Sequence, residues 1–158
     1  MEVTELATLL TSNRKTVSVA EACTCGLVGY MMSTVPGSSI FFPGGVIAYT
    51  GGLKQSLLGV PDELYETSGS VSAEMAVAMA KGVKHLTGTD YGISTTGVTG
   101  PTQGKSTLPI GTFYIGLVGP DGLEISKLIH TDSGERDGNK RQAAQAVLDL
   151  LGRTVSES

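Results

Sequence analysis

The sequence predicts an α/β fold, a three-layer α/β/α sandwich with a mixed sheet. Predicted strands alternate with predicted helices, and one pair of strands is separated only by a tight turn. The length of 158 residues matches one ordinary domain, and an apolar content of 40% is enough for a sizeable core. We therefore expect residues 1–158 to form a single domain.

The first half of the chain shows helices alternating with short strands. Apolar residues at helical spacing predict helices, and β-branched alternating stretches predict strands. The third predicted helix stops near Gly59 and Pro61, which are helix-ending residues. In order, the elements are a helix over 2–12, a strand over 16–20, a helix from 27 to before Pro36, a strand over 46–49 and a helix over 53–58.

The second half begins with a helix whose start is marked by Ser72, a good N-cap residue. That helix should bury one stripe, formed by Met75, Ala76, Met79, Ala80 and Val83. Gly, Pro and Asp at 119–122 are typical of a hairpin turn. The remaining elements are a strand over 91–96, a glycine-rich loop over 97–111, hairpin strands over 112–118 and 123–129, and a helix over 137–151.

Composition disfavours several classes of partner. The net charge is −4, whereas nucleic-acid binding depends on Lys and Arg against phosphates, so no nucleic-acid partner is expected. No apolar run reaches the roughly 18 residues of a membrane helix, and no basic segment precedes the apolar residues near the N-terminus. The two cysteines, Cys23 and Cys25, are too close in sequence for a good structural disulfide. We expect a cytoplasmic protein with no membrane partner.

Three loops rich in small hydroxyl residues cover 21–26, 36–39 and 95–101. In α/β folds, ligands bind beyond the carboxyl ends of the strands. A helix that starts at Cys25 or Gly26 would direct free backbone N–H groups to that place, where they suit a phosphate or an oxyanion. The alternative is that these residues only form turns.

Short motifs occur along the chain in a fixed order. They read A-E-A-C-T-C-G at 20–26, P-G-S-S at 36–39, L-G-V at 58–60, G-S-V-S at 69–72, T-G-V-T-G-P at 96–101 and G-E-R at 134–136. Over about 17–151 the chain resembles the C-terminal domain of the competence/damage-inducible protein CinA. That family includes nicotinamide-nucleotide amidases.

The resemblance implies hydrolysis of nicotinamide mononucleotide to nicotinate mononucleotide and ammonia, by a serine and a lysine. It places the general base at Lys54, five residues after Tyr49, which would orient the lysine or relay a proton. A lysine that acts as a base near neutral pH needs a lowered pKa. The resemblance also implies a small mononucleotide ligand, no cofactor and a homo-oligomer.

The chain departs from the family at the nucleophile, because Ala22 stands where the family has its serine. One interpretation is a paralogue that binds a nucleotide, or another partner, without deamidation. A second is that a neighbouring group replaces the serine. A third, an introduced change at residue 22, fits poorly with the further departure at Cys25. The possible substitutes are Thr24, Cys25, Ser38 and Ser39.

The binding residues follow the family pattern more closely. Arg136 and Arg141 could pair with a 5′-phosphate, because a guanidinium presents a fork that matches phosphate oxygens. Residues 102–108 could form a flap, with Lys105 either near a phosphate or simply solvated. No metal site is expected, because Cys23 and Cys25 lack a second ligand pair. The residues predicted to line the pocket are Ser38, Ser39, Thr96, Gly97, Thr99 and Gly100.

Overall fold

The computed structural model describes Met1 to Ser158. Its strands are β1 (Val17–Glu21), β2 (Gly44–Ile47), β3 (Tyr91–Gly97), β4 (Thr112–Val118) and β5 (Glu124–His130). They form one sheet in the order β2-β1-β3-β4-β5. The first three strands run parallel, whereas β4 and β5 form an antiparallel hairpin beside β3. The predicted mixed sheet is confirmed.

Six helices cover the two faces of the sheet. They are α1 (Val3–Ser12), α2 (Leu27–Ser33), α3 (Gly51–Leu58), α4 (Asp62–Thr67), α5 (Ala73–Thr87) and α6 (Arg136–Ser156). The larger apolar core lies between the sheet and helices α1, α2 and α6, and a smaller one joins the sheet to α3, α4 and α5. These layers confirm the three-layer α/β/α sandwich.

Helix α5 packs directly on the sheet because two strand positions carry no side chain. A Cβ at Gly116 would lie 2.4 Å from the carbonyl oxygen of Ala76, and one at Gly92 would lie 2.2 Å from that of Ala80. The Ser72 hydroxyl caps the helix by accepting a hydrogen bond from a backbone N–H in its first turn. The predicted apolar stripe is fully buried.

The structure differs from the sequence prediction at some elements. Strand β2 begins at Gly44 instead of residue 46. A Cβ at residue 45 would lie 2.4 Å from the Val19 carbonyl oxygen, so the close packing of β2 beside β1 requires glycine there. Glycine has a low propensity for strands, so the sequence pattern did not indicate that β2 begins at Gly44. Helix α4 and a 3-10 turn at Ser38–Ile40 were not predicted, and α6 extends five residues beyond 151.

The topology places three loops at one edge of the sheet. Since β1, β2 and β3 are parallel, their carboxyl ends meet, and the segments that follow them lie side by side. None of the helices combines the length and apolar character needed to cross a bilayer.

Candidate functional site

A cavity of about 550 Å³ opens at the carboxyl ends of the parallel strands. This size lies within the range of typical small-molecule sites. Its walls come from the residues that follow β1, β2 and β3, from loops at 68–71 and 102–108, and from the first residue of α6. The fold therefore gathers segments that are far apart in sequence around one space.

The cavity lining contains three basic residues and no Asp or Glu. The basic residues are Lys54, Lys105 and Arg136. The whole chain, in contrast, carries a net charge of −4. A concave site with basic residues and no carboxylate favours an anionic ligand, because the low-dielectric walls concentrate the positive potential.

Lys54 lies in α3 with only 3% of its surface exposed, although its side chain contributes to the cavity wall. Its amine forms no ion pair and no hydrogen bond within the chain. The ring of Tyr65 covers it, with the ring centroid 5.9 Å from Nζ. Burial disfavours the charged ammonium and lowers the pKa of Lys54 from its ordinary value. A buried amine of this kind is available as a base.

Arg136, the first residue of α6, joins three segments around the cavity. Its Nη1 donates to the Gly100 carbonyl at 2.6 Å and to the Thr99 hydroxyl, and its Nη2 donates to the Tyr49 hydroxyl at 3.0 Å. Asn139, one turn further along α6, donates to the Thr99 carbonyl at 3.1 Å. The guanidinium is thus held in place while it still faces the cavity.

The segment directly after β1 brings Ala22 and Cys23 to the cavity wall. Ala22 contributes only a methyl group, and it is 5% exposed. Burial raises the pKa of the Cys23 thiol to about 12, so this cysteine stays a neutral thiol at neutral pH. Neither residue supplies an activated nucleophile here.

Glu21 corrects one sequence expectation, which was that the start of α2 offers free N–H groups to a ligand. The Glu21 carboxylate is buried and accepts hydrogen bonds of 2.9–3.1 Å from the backbone N–H groups of Gly26, Val28 and Gly29. It also accepts the Thr24 hydroxyl at 2.5 Å. Those donors are therefore satisfied within the protein, and a ligand anion would have to bind elsewhere.

The predicted substitute nucleophiles do not line the cavity. Thr24 is buried and hydrogen-bonds with Glu21 and Thr95, whereas Cys25 is exposed, with a positive φ of 49°. Ser38 and Ser39, which were also predicted to line the pocket as binding residues, lie in the 3-10 turn near α2, and neither of them lines the cavity. The catalytic role of these four residues stays a prediction, and their positions outside the cavity lining do not favour it.

The predicted binding residues divide into two groups. Thr96, Gly97, Thr99 and Arg136 line the cavity, and Gly100 borders it through its carbonyl contact with Arg136. Arg141 instead points along the surface of α6, where its Nε donates to Asp137 at 2.8 Å. Of the two arginines, only Arg136 is in place to meet a ligand in the cavity.

The loop at 68–71 lines the cavity but was not predicted to bind ligand. It is held to β3 by the Thr96 hydroxyl, which donates to the Ser70 carbonyl at 2.6 Å. The sequence does contain a pattern that could have indicated a binding loop here, because small polar residues directly precede Ser72, the N-cap of a long helix. The covering ring of Tyr65 had no such signal, since it depends on the unpredicted helix α4.

Comparison with known proteins identifies the family. The family model of the CinA C-terminal domain matches residues 2–155. The chain belongs to the CinA C-terminal domain family. All the cavity residues lie within the matched range. A CinA-like protein from Cyanothece sp. is 45% identical over 150 residues, and one from Thermosynechococcus vestitus is 44% identical over 152 residues.

The alignments cover 95% of this chain but 36% of each of these two relatives. The chain thus spans about a third of the length of the curated CinA-like proteins that it matches. Among solved structures, a CinA superfamily protein from Klebsiella pneumoniae has a TM-score of 0.94 at 23% identity, with 99% and 96% of the two chains covered. The competence/damage inducible protein CihA from Agrobacterium tumefaciens has a TM-score of 0.90 at 27% identity, with the same coverage.

Proposed function

We propose that the cavity binds a small phosphorylated mononucleotide of the nicotinamide mononucleotide class. It keeps the lysine base of an amide-hydrolysing site, whereas residue 22 supplies no nucleophile. The observation that carries this proposal is the composition of the cavity wall, which includes Arg136, Lys105 and Lys54 and has no lining carboxylate. The resemblance to the nicotinamide-nucleotide amidases adds the ligand class.

Arg136 is the best placed phosphate partner. Its guanidinium is already held by Thr99, Gly100 and Tyr49, so little further side-chain freedom is lost when a phosphate binds. Lys105, on the loop at 102–108, supplies a second cation on the same cavity. Tyr49 is half exposed at the cavity wall, where its ring offers a face for a pyridine or other flat ring.

A second candidate is slow amide hydrolysis without an acyl-enzyme. The observation in its favour is the buried amine of Lys54, whose pKa is lowered by burial. In this route the neutral amine takes a proton from water, and the water oxygen attacks the carboxamide carbon. The ammonium then returns the proton to the carboxamide nitrogen, the C–N bond breaks, and ammonia leaves. The space beside the Ala22 methyl is where the family nucleophile would otherwise stand.

The test is isothermal titration calorimetry with nicotinamide mononucleotide and with nicotinamide riboside, which lacks the phosphate. We expect the mononucleotide to bind about 10- to 150-fold more tightly, the range of a charge-assisted hydrogen bond. Arg136→Gln should remove most of that difference. Arg153→Gln, on the exposed surface of the same helix, is the matched control and should leave it unchanged.

Equal affinity for the two ligands would contradict the proposed phosphate site. Ammonia release by the unaltered chain, measured in the same samples, separates the two candidates. Turnover that disappears in Lys54→Met would support hydrolysis, whereas tight binding without turnover would support binding alone.

A further inference from the structure

We propose that Lys54 also acts as a nucleophile and forms an imine with small phosphorylated aldehydes or ketones that enter the cavity. This inference rests on the anion binding of the proposed function, but it does not require amide hydrolysis. It adds a covalent site and a second class of ligand, defined by a carbonyl group and a phosphate.

The surroundings of Lys54 leave its amine without a partner. Lys54 pairs with no carboxylate, and the wall at Ala22 carries a methyl group that cannot accept a hydrogen bond. The lining hydroxyls of Tyr49 and Thr99 accept hydrogen bonds from Arg136, and neither of them contacts the Lys54 amine through a hydrogen bond. The lone pair of a neutral Lys54 amine is therefore free to attack a ligand.

The same surroundings favour the neutral form that attack requires. Burial lowers the pKa of Lys54. Desolvation is a known way of activating a lysine amine toward carbonyl groups. No Asp or Glu lines the cavity to stabilise the ammonium form instead.

The cavity can also position the carbonyl group. A phosphate held by Arg136 anchors one end of a small ligand in a space of about 550 Å³ whose wall includes Lys54. The nitrogen then bonds to the carbonyl carbon and gives a carbinolamine. Loss of water, which carries away the carbonyl oxygen and the two amine hydrogens, leaves the imine. Water reverses the reaction, so no redox partner is needed.

The probe is pyridoxal 5′-phosphate, with pyridoxal as the version that lacks phosphate. After brief exposure at neutral pH, borohydride reduces any imine to a stable secondary amine, which intact-protein and peptide mass spectrometry locate. We expect close to one equivalent of label on Lys54, with at least 10-fold less from pyridoxal. Excess inorganic phosphate should prevent the labelling.

Two variants make the test specific. Lys54→Met should lose the single label, and Lys127→Met, which removes an exposed lysine on β5, should keep it. A melting curve and the affinity for nicotinamide mononucleotide show whether each variant is folded with an open cavity.

Label spread over the exposed lysines, and unchanged in Lys54→Met, would overturn the inference. If the mononucleotide binds through its phosphate but no imine forms at Lys54, the covalent site is wrong and the proposed function stands. If the imine forms at Lys54 while the mononucleotide fails to bind, the proposed function is wrong and the covalent site stands.

Discussion

Arg136 Nη2 donates a hydrogen bond of 3.0 Å to the Tyr49 hydroxyl, joining the first turn of α6 to the segment after β2. The other terminal nitrogen, Nη1, holds the loop after β3 through the Gly100 carbonyl and the Thr99 hydroxyl. One side chain thus connects three segments around the cavity. The position of the Arg136 guanidinium depends on all three segments. A change in any of them should therefore alter the affinity for a ligand that Arg136 binds.

Tyr49→Phe tests this connection. The variant keeps the ring and removes the acceptor for Nη2, while the Gly100 and Thr99 contacts of Nη1 remain. We expect the affinity for nicotinamide mononucleotide to fall about 2- to 10-fold, the usual net value of one hydrogen bond. Calorimetry measures it. In an Arg136→Gln background the same change should have almost no effect, and an undiminished effect there would contradict the coupling.

Glu21 has a structural task that can be measured separately from function. Its buried carboxylate accepts three backbone N–H groups at the start of α2, as well as the Thr24 hydroxyl. In Glu21→Gln one oxygen becomes an NH₂ donor that faces those donors. We expect a loss of about 2–4 kcal/mol in the free energy of unfolding, measured by urea denaturation.

The matched control for this prediction is Glu63→Gln, which removes an exposed carboxylate in α4. Its effect should stay within about 0.5 kcal/mol. Equal stabilities for the two variants would show that the carboxylate of Glu21 is not what holds the start of α2.

The sequence predicted most of the fold because the main signals are local. The apolar stripe of α5 was predicted from the helical spacing of its five residues, and the structure buries all five. The Ser72 cap was predicted from residue type alone, and its hydrogen bond in the first turn is present. What escaped prediction depends on contacts between distant segments. Gly45 belongs to a strand because its backbone passes close to Val19, and no local pattern shows that.

The candidate site was predictable only in part, for the same reason. Lys54, Tyr49 and Arg136 were predicted from the family resemblance, and all three line one cavity. The sequence did not predict that Glu21 accepts the backbone N–H groups at the start of α2. A glutamate that is buried in the fold cannot be distinguished by its sequence from one that is exposed. Arg141 was predicted, like Arg136, to pair with a phosphate, yet it lies five residues later on α6 and pairs with Asp137.

Lys54 should make stability depend on pH. Its ordinary pKa is 10.5, and burial lowers the pKa in the folded state. Below the folded-state pKa both states are protonated and folding bears the full cost of burying the charge. Between that pKa and 10.5 the unfolded state binds more protons, so the contribution of Lys54 to stability improves as pH rises.

Lys54→Met removes this titration and keeps a similar apolar length. We expect the variant to be more stable than the unaltered chain near pH 7, with the gap closing as pH approaches 10.5. Each 1 kcal/mol should appear as about 2–4 °C in Tm. Lys127→Met, at an exposed position, serves as the control. A gap between Lys54→Met and the unaltered chain that stays constant from pH 7 to 10 would argue against a lowered pKa.

Ala22→Ser tests whether the missing hydroxyl is what limits chemistry. Residue 22 directly follows β1 and lines the same cavity as Lys54, so a serine there would add a hydroxyl to the wall that also holds the lysine. Lys54 would take the proton, and the oxygen would attack the carboxamide carbon of nicotinamide mononucleotide. We expect ammonia release to rise at least about 100-fold, the lower range for acid–base and nucleophilic assistance.

The pH dependence and a double variant make this result interpretable. Activity of Ala22→Ser should increase with pH as the Lys54 ammonium loses its proton, because only the neutral amine can act as the base. Adding Lys54→Met should remove the gain. If Ala22→Ser binds the mononucleotide normally and still releases no ammonia, the nucleophile is not the only lost element. The next candidates would then be Cys25, where the family resemblance implies a further departure, and the loop at 102–108, which lines the cavity.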